Sequence, residues 1–385
     1  MTLTANFQSL LRRAIFLLLV LLPLFSFSTA RAAAHDYYVS PSGSDQGDGS
    51  AAHPWQTIAK AASRARAGEV IHVLPGTYQS ATSILTTANG KSDKRVRYVS
   101  DEKWGAKIIS MAGMPSAAWE NTGSYVDIVG FDITGDGNEG ILNRASHVRI
   151  IGNHVHNLPA TFCKLRSPTG AGINSGANYS TEDNDVIGNV VHDIGYPKAC
   201  NVGQGIYHAN RGGHISNNIS FHNSAYGICL WHAATANVVT NNLLFENGLG
   251  GIWLGAEGMK GEINENSVVA NNIIYKNGDW SIREAGNVGR NRYENNLFYG
   301  NGHDDKPLLI LNRDVATIHA DPKFVHFLPD GSGDYHLAPD SPALGNASRG
   351  EIPPEDFYGA TRNHSDLGPF ARPAAAAGTP SVANR

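Results

Sequence analysis

The sequence predicts an all-β fold: a single-stranded right-handed parallel β-helix, a solenoid of three short strands per coil with an N-terminal capping helix. Three observations carry this reading: an internal repeat that aligns without gaps, apolar segments too short for hairpins, and turn residues at fixed places in every repeat.

The repeat is clearest in four segments: Ser216 to Asn223, Thr240 to Asn247, Ala270 to Asn277 and Glu294 to Asn301. Each carries an Asn-Asn pair, two or three apolar residues and a closing Asn. Degenerate copies begin at Gly152-Asn153 and Gly188-Asn189. Asn218 to Asn242 and Asn272 to Asn296 each span 24 residues. A second short apolar segment follows each copy: Gly172-Ile173-Asn174, Gly205-Ile206-Tyr207, Gly227-Ile228-Cys229, Gly251-Ile252-Trp253 and Ser281-Ile282-Arg283. A third, such as Val238-Val239-Thr240, precedes the Asn pair. Stacking such coils about 4.8 Å apart pairs every strand with its counterpart above and below. A side-chain amide at one fixed turn can donate to one neighbouring coil and accept from the other, so an Asn ladder is expected. The glycine before each isoleucine is expected at a turn needing positive φ.

The remaining elements follow in chain order. Residues 1–34 read as an export signal: Arg12 and Arg13, then the apolar run Ala14 to Leu22, then Ala30-Arg31-Ala32 or Ala32-Ala33-Ala34 as cleavage site. A membrane anchor is the competing reading, but the run is short and Pro23 interrupts it. The β-helix domain is expected over 35–371, with 35–78 as N-terminal cap and first strand. There Thr57 to Ala67 reads as a short amphipathic helix and Val70 to Leu74 as the first strand. After Leu311 the pattern decays, and 312–371 is expected to close the solenoid. Residues 372–385, Ala-rich, are expected to be disordered.

Composition bounds the function. The 385 residues carry a net charge of −4 and 17% charged side chains, without the basic stripe of nucleic-acid binders. An exported protein meets an oxidising compartment, and Cys163 and Cys200 follow His156 and His192 by seven and eight residues. If those histidines occupy the same point of successive coils, the two loops stack and a Cys163–Cys200 disulfide is expected. Cys229, in a strand, reads as a small wall residue. His156 and His192 could ligate a metal, but two ligands are short of a site, and a stacked ladder is the plainer reading.

Tyr37 to Asp45, Asp48-Gly49-Ser50, Pro54-Trp55-Gln56-Thr57-Ile58 and Pro75-Gly76-Thr77-Tyr78 resemble the opening of pectate-lyase-like right-handed β-helix proteins, most of all family nine polysaccharide lyases. Asp321-Pro322-Lys323-Phe324 and Ser341-Pro342-Ala343 are similar to the end of such proteins. The resemblance implies the fold, an acidic polysaccharide as substrate and β-elimination as reaction. It also implies calcium held by aspartates beside a catalytic lysine, and that cluster has no counterpart in this sequence. The nearest acidic run, Glu182-Asp183-Asn184-Asp185, offers oxygen ligands for calcium, or is simply a solvated loop.

Relatives bind sugar chains along one outer sheet walled by loops. The Gly-Ile strands fit that sheet, because the insertions Leu158 to Ala171, Tyr196 to Gly203 and Ala256 to Ser267 flank them. Alternation sends the isoleucines inward and the next residues outward: Asn174, Tyr207, Cys229, Trp253, Arg283 and Leu311, with Trp231 and Arg313 two positions further along their strands. Trp231 and Trp253 would make a platform for pyranose rings. Arg283 is expected to neutralise a uronate carboxylate, His208 or His232 to take the α-proton, and Tyr207 to donate to the leaving oxygen. Arg211, Glu257, Lys260, Glu284 and Arg313 complete the expected substrate-binding set. The plainer reading of His208 and Glu284 is that they occupy the inward parity and merely satisfy the corner. The rival readings are a glycoside hydrolase using Glu257 and Glu284, a uronate epimerase, and a non-catalytic carbohydrate-binding or adhesion solenoid. The expected partner is a polysaccharide, with no nucleic acid, no membrane after signal cleavage, and a monomeric state.

Overall fold

Three parallel sheets, of eleven, ten and eight strands, are built one strand at a time from successive coils. The computed structural model describes residues 36–111, 117–159, 170–195, 202–257 and 261–372. The expected leader, the Cys163–Cys200 pair, Lys260 and the tail from 373 therefore lie outside the described residues. Among the described residues no helix is long and apolar enough to cross a membrane.

One coil illustrates the rest. Val238–Thr240 lies in the eleven-stranded first sheet, Leu243–Phe245 in the ten-stranded second and Gly250–Ala256 in the eight-stranded third. The next coil repeats this with Val268–Ala270, Ile273–Tyr275 and Trp280–Gly286, in register. Inward residues form continuous apolar columns: Val239, Leu244, Ile252 and Leu254, then Val269, Ile274 and Ile282, all fully buried. Each such side chain contributes roughly 1.5–3 kcal/mol. No coil could bury its own interior, so the stack forms as a whole.

The Asn doublets divide their labour. The second Asn points inward and forms the expected ladder. Asn153, Asn189, Asn218, Asn242 and Asn272 each donate Nδ2 to the next Oδ1 at 2.9–3.1 Å, the last of these bonds ending on Asn296. A shorter ladder joins Asn223, Asn247, Asn277 and Asn301 and ends on the Asp305 carboxylate. The first Asn sits at φ 52–62° and points outward. Asn217, Asn241, Asn271 and Asn295 donate to the carbonyls of Glu355, Asp366, Ser348 and Asn346. In the two earlier copies Gly152 and Gly188 hold that left-handed position (φ 63° and 65°).

Those outward bonds fasten the C-terminal segment, which adds the last rungs of two sheets and then leaves the end of the solenoid. The last rungs are Asp314–Val315 and Ile318–His319. The chain then forms the hairpin Phe324–His326 and Asp334–Leu337 and folds back along the second sheet. Its Tyr335, Ala343, Leu367 and Phe370 bury the outward apolar stack Phe221, Phe245, Tyr275 and Leu297. This strap removes the second sheet's face from Phe221 to Leu297 from contact with any polymer.

Three smaller expectations also change. The N-terminal helix covers only Ile58–Ala62, capped by Thr57 Oγ1 at its start and by Ser63, whose N–H donates to Ala59 O, at its end. The strand Val70–Val73 is not the first: Asp36–Val39 pairs with it at the sheet edge. Finally, Gly172, Gly205, Gly227 and Gly251 are not at positive φ. They are required by close approach, since a Cβ at Gly251 would collide with Ile274 Cγ2 and one at Gly172 with Val191 Cγ1.

Candidate functional site

The third sheet is the face that insertions surround. Loops enter it between Leu158 and Ala171 and between Ile194 and Gln204, and leave it between Ala256 and Val268. Its central outward column runs Glu120, Leu142, Asn174, Tyr207, Cys229, Trp253, Arg283, one residue per coil. At about 4.8 Å per coil, Glu120 to Arg283 spans roughly 29 Å. The expected register therefore holds from Asn174 to Arg283. It fails at the next step, where Arg283 bridges to Leu308, not Leu311.

The lower half of the face is aromatic and cationic. Trp231 and Trp253 meet with ring centroids 4.3 Å apart at 48°, and Tyr226 lies 5.1 Å from Trp253. Gly255 permits this arrangement, because any Cβ there would strike the Trp231 ring. The Arg283 guanidinium lies 5.6 Å from the Trp253 ring centre and donates to Tyr226 Oη at 3.3 Å. No carboxylate pairs with it among the described residues. Arg283 Nε, Trp253 Nε1 and Asn174 Oδ1 are buried without a hydrogen-bond partner among those residues. Orphaned buried polar atoms are costly and mark places where a ligand or water completes the bonding.

The upper half gathers titratable groups. His232 Nδ1 meets Glu262 Oε2 at 3.0 Å, and Tyr179 packs on the imidazole with centroids 4.0 Å apart. If Nδ1 carries the proton donated to Glu262, Nε2 keeps the lone pair of a base. Burial raises the Tyr207 phenol well above its usual range, so it holds its proton as a donor. Glu139, one column over, is 6% exposed and accepts from Asn174 Nδ2 at 2.6 Å. Burial raises its carboxyl to about 7. Arg144, paired with Glu120 at 2.7 Å, lies close enough to oppose that rise. Glu139 was missed by the sequence reading, although Glu139-Gly140-Ile141-Leu142 repeats the Gly-Ile pattern and places Glu139 level with Ala171 and Ala117.

Other expected residues fall elsewhere. His208 is fully buried inside the coils, with Nε2 at 3.0 Å from Asn237 Oδ1 and 2.6 Å from Asn210 Nδ2. Burial lowers its pKa to about 4, and a base there cannot touch a polymer outside. Glu284 is likewise interior, 1% exposed, and accepts from Tyr293 Oη, Asn312 Nδ2 and Ile310 N at 2.6–2.7 Å. It fills the last coil, so Glu257, which is exposed, and Glu284 do not face a common bond as a hydrolase requires. Arg211 is exposed in a loop bridged to Glu182. Arg313 is exposed beside the first-sheet strand Asp314–Val315. Cys229 is free and buried, its thiol raised by burial.

The acidic run does not fit calcium. Asn184 points inward, accepting from Val148 N and donating to Ala145 O, while Asp185 turns to His214 and Asp183 to His147. These oxygens diverge, whereas a calcium site gathers six to eight.

A family model described as "Pel9A-like, right handed beta helix region" matches residues 37–311. The chain belongs to this Pel9A-like right-handed β-helix family. Among solved structures it is similar to pectate lyase Pel9A, with a TM-score of 0.62 at 16% identity, covering 90% of this chain and 98% of that one. It is also similar to a rhamnogalacturonan lyase (TM-score 0.47, 17% identity, 70% and 75% covered). An alginate lyase from Paenibacillus sp. str. FPU-7 gives a TM-score of 0.46 at 15% identity, with 68% and 96% covered. No curated protein matches the sequence. At these identities the structural likeness speaks to the fold.

Proposed function

We propose that this protein is an exported, monomeric polysaccharide lyase that cleaves a uronate-containing polymer by β-elimination along the outer face of the third sheet. The observation that carries the reading is Arg283: a half-buried guanidinium with no carboxylate partner among the described residues, set against Trp253, which packs on Trp231. Such a cation suits a substrate carboxylate. The family's pectate lyase Pel9A supports the same class of substrate.

In this mechanism the tryptophans hold sugar rings by their apolar faces, and Arg283 neutralises a uronate carboxylate, which makes the neighbouring C5 proton removable. His232 Nε2, oriented through Glu262, takes that proton. The C4–O bond breaks as the C4=C5 double bond forms, and the Tyr207 hydroxyl donates to the departing oxygen. His208 and Glu284 have no part in it, and no step is assigned to calcium. Glu139 supports a second assignment of the base, because a carboxyl titrating near 7 exchanges protons readily at neutral pH.

The test is incubation with pectate, alginate, glycosaminoglycans and bacterial exopolysaccharides, with calcium and with chelator, following the ultraviolet absorbance of unsaturated uronates. The expected result is a rise with one polymer, reduced at least 100-fold by Arg283→Ala and partly kept by Arg283→Lys. New reducing ends without absorbance would overturn elimination in favour of hydrolysis. Activity unchanged in Arg283→Ala would overturn the assignment of the face.

A further inference from the structure

A second cluster lies on the second sheet, on the coils just before the strap's apolar seat. The strands His154–Leu158 and Val190–Ile194 pair in register, so His156 stands beside His192 and His154 beside Val190. The structure brings a third imidazole to the expected pair: one nitrogen from each of His154, His156 and His192 lies within 4.8 Å of the others. The rings are largely stacked, with His154 and His156 centroids 4.2 Å apart and His156 and His192 5.3 Å apart.

Neighbouring carboxylates set how the three rings face one another. His154 Nδ1 faces Asp132 Oδ2 at 3.3 Å and His192 Nδ1 faces Asp193 Oδ2 at 2.6 Å. Each carboxylate holds its imidazole in the Nδ1–H form, which leaves the lone pair on Nε2. Those two Nε2 atoms point at each other across 2.8 Å. At that separation either one Nε2 carries a proton and donates it to the other, or a cation sits between the two lone pairs. His156 adds a third ring, with Nε2 3.0 Å from Asp132 Oδ1 and Nδ1 3.0 Å from Asn157 Oδ1, so one of these nitrogens exchanges its acceptor for the metal on binding. Carboxylates behind imidazoles are the arrangement that orients histidines toward a metal.

We propose that His154, His156 and His192 bind one divalent transition-metal ion, with Asp132 and Asp193 as positioning residues. Neutral imidazoles suit zinc, copper or nickel and disfavour calcium, which takes oxygen ligands. His154 and His192 line a cleft of about 700 Å³ between the second sheet and the strap, bounded also by Trp104, Tyr335 and Tyr358. Three protein ligands leave a coordination position for water or a small ligand. The site lies on a different sheet from the proposed lyase face, so the two readings stand or fall separately.

The experiment uses tag-free protein stripped with chelator and titrated calorimetrically with zinc chloride, with calcium chloride in parallel. A cobalt(II) titration follows the visible absorption of a tetrahedral site. One equivalent of zinc is expected, with no calcium response. Affinity should fall at least 100-fold in the His154→Gln/His192→Gln variant and roughly 10- to 100-fold in Asp132→Asn. Thermal unfolding of the stripped proteins checks that the variants are folded, and His214→Gln, exposed on the first sheet, serves as an unaffected control. The proposal is overturned by wild-type protein that binds no stoichiometric zinc, or by a folded double variant that binds it as tightly.

Discussion

Replacing Glu139 by Gln tests whether the third-sheet face holds a carboxyl that titrates near neutrality. Burial raises this group from an ordinary 4.5 to about 7. In that window the folded protein holds a proton that the unfolded chain has released. Stability therefore falls as pH rises from about 4.5 to about 7, and levels off above. A gap of that size corresponds to roughly 3 kcal/mol. Gln retains the acceptor for Asn174 Nδ2 and removes the titration. Other groups titrate too. His208, lowered to about 4, favours the neutral folded form, so its contribution rises with pH between about 4 and 6.5. It cancels when variant and wild type are compared at each pH. The assay is urea unfolding of both proteins from pH 4 to 9. The variant should gain about 3 kcal/mol relative to wild type between the ends of that range. Parallel stability curves would refute the raised carboxyl, and with it Glu139 as a candidate base. If Glu139 acts in catalysis, the variant should also lose an arm of the pH–rate profile near 7. An intact arm removes Glu139 as the base.

Three further outcomes follow from the scaffold. Asn242→Ala leaves Ile215 O, Asn218 N and Asn272 Oδ1 each short of a bond in the interior, and should cost about 3 kcal/mol or more in chemical denaturation. Gly251→Ala forces a methyl group against Ile274 and should cost about 1–3 kcal/mol, whereas a positive-φ explanation of this glycine would not place the strain on that side chain; pairing it with Ile274→Val should recover part of the loss. Phe245→Ala removes a ring stacked 4.7 Å from Phe221 and touching Tyr335. It should cost about 3–5 kcal/mol and release the strap, read as faster proteolysis after residue 320 while the coils stay protected.

The division between sequence and structure follows the range of the interactions. Everything periodic was readable along the chain. The Asn doublets, the Gly-Ile segments and the column from Asn174 to Arg283 repeat because each coil meets only its neighbours, so the local pattern is the tertiary contact. The insertions identified the third sheet for the same reason. What the chain could not state was which way a residue near a corner points, and what returns from far away. His208 and Glu284 lie one residue beyond Tyr207 and Arg283, and a single step of alternation turns them from face to interior. Glu139 looks like any acidic side chain until burial raises its carboxyl. The convergence of His154 with His192 depends on ring orientation across two coils. The strap is tied to Asn217 by a residue 138 positions away, and only the folded chain decides that it lies along the second sheet.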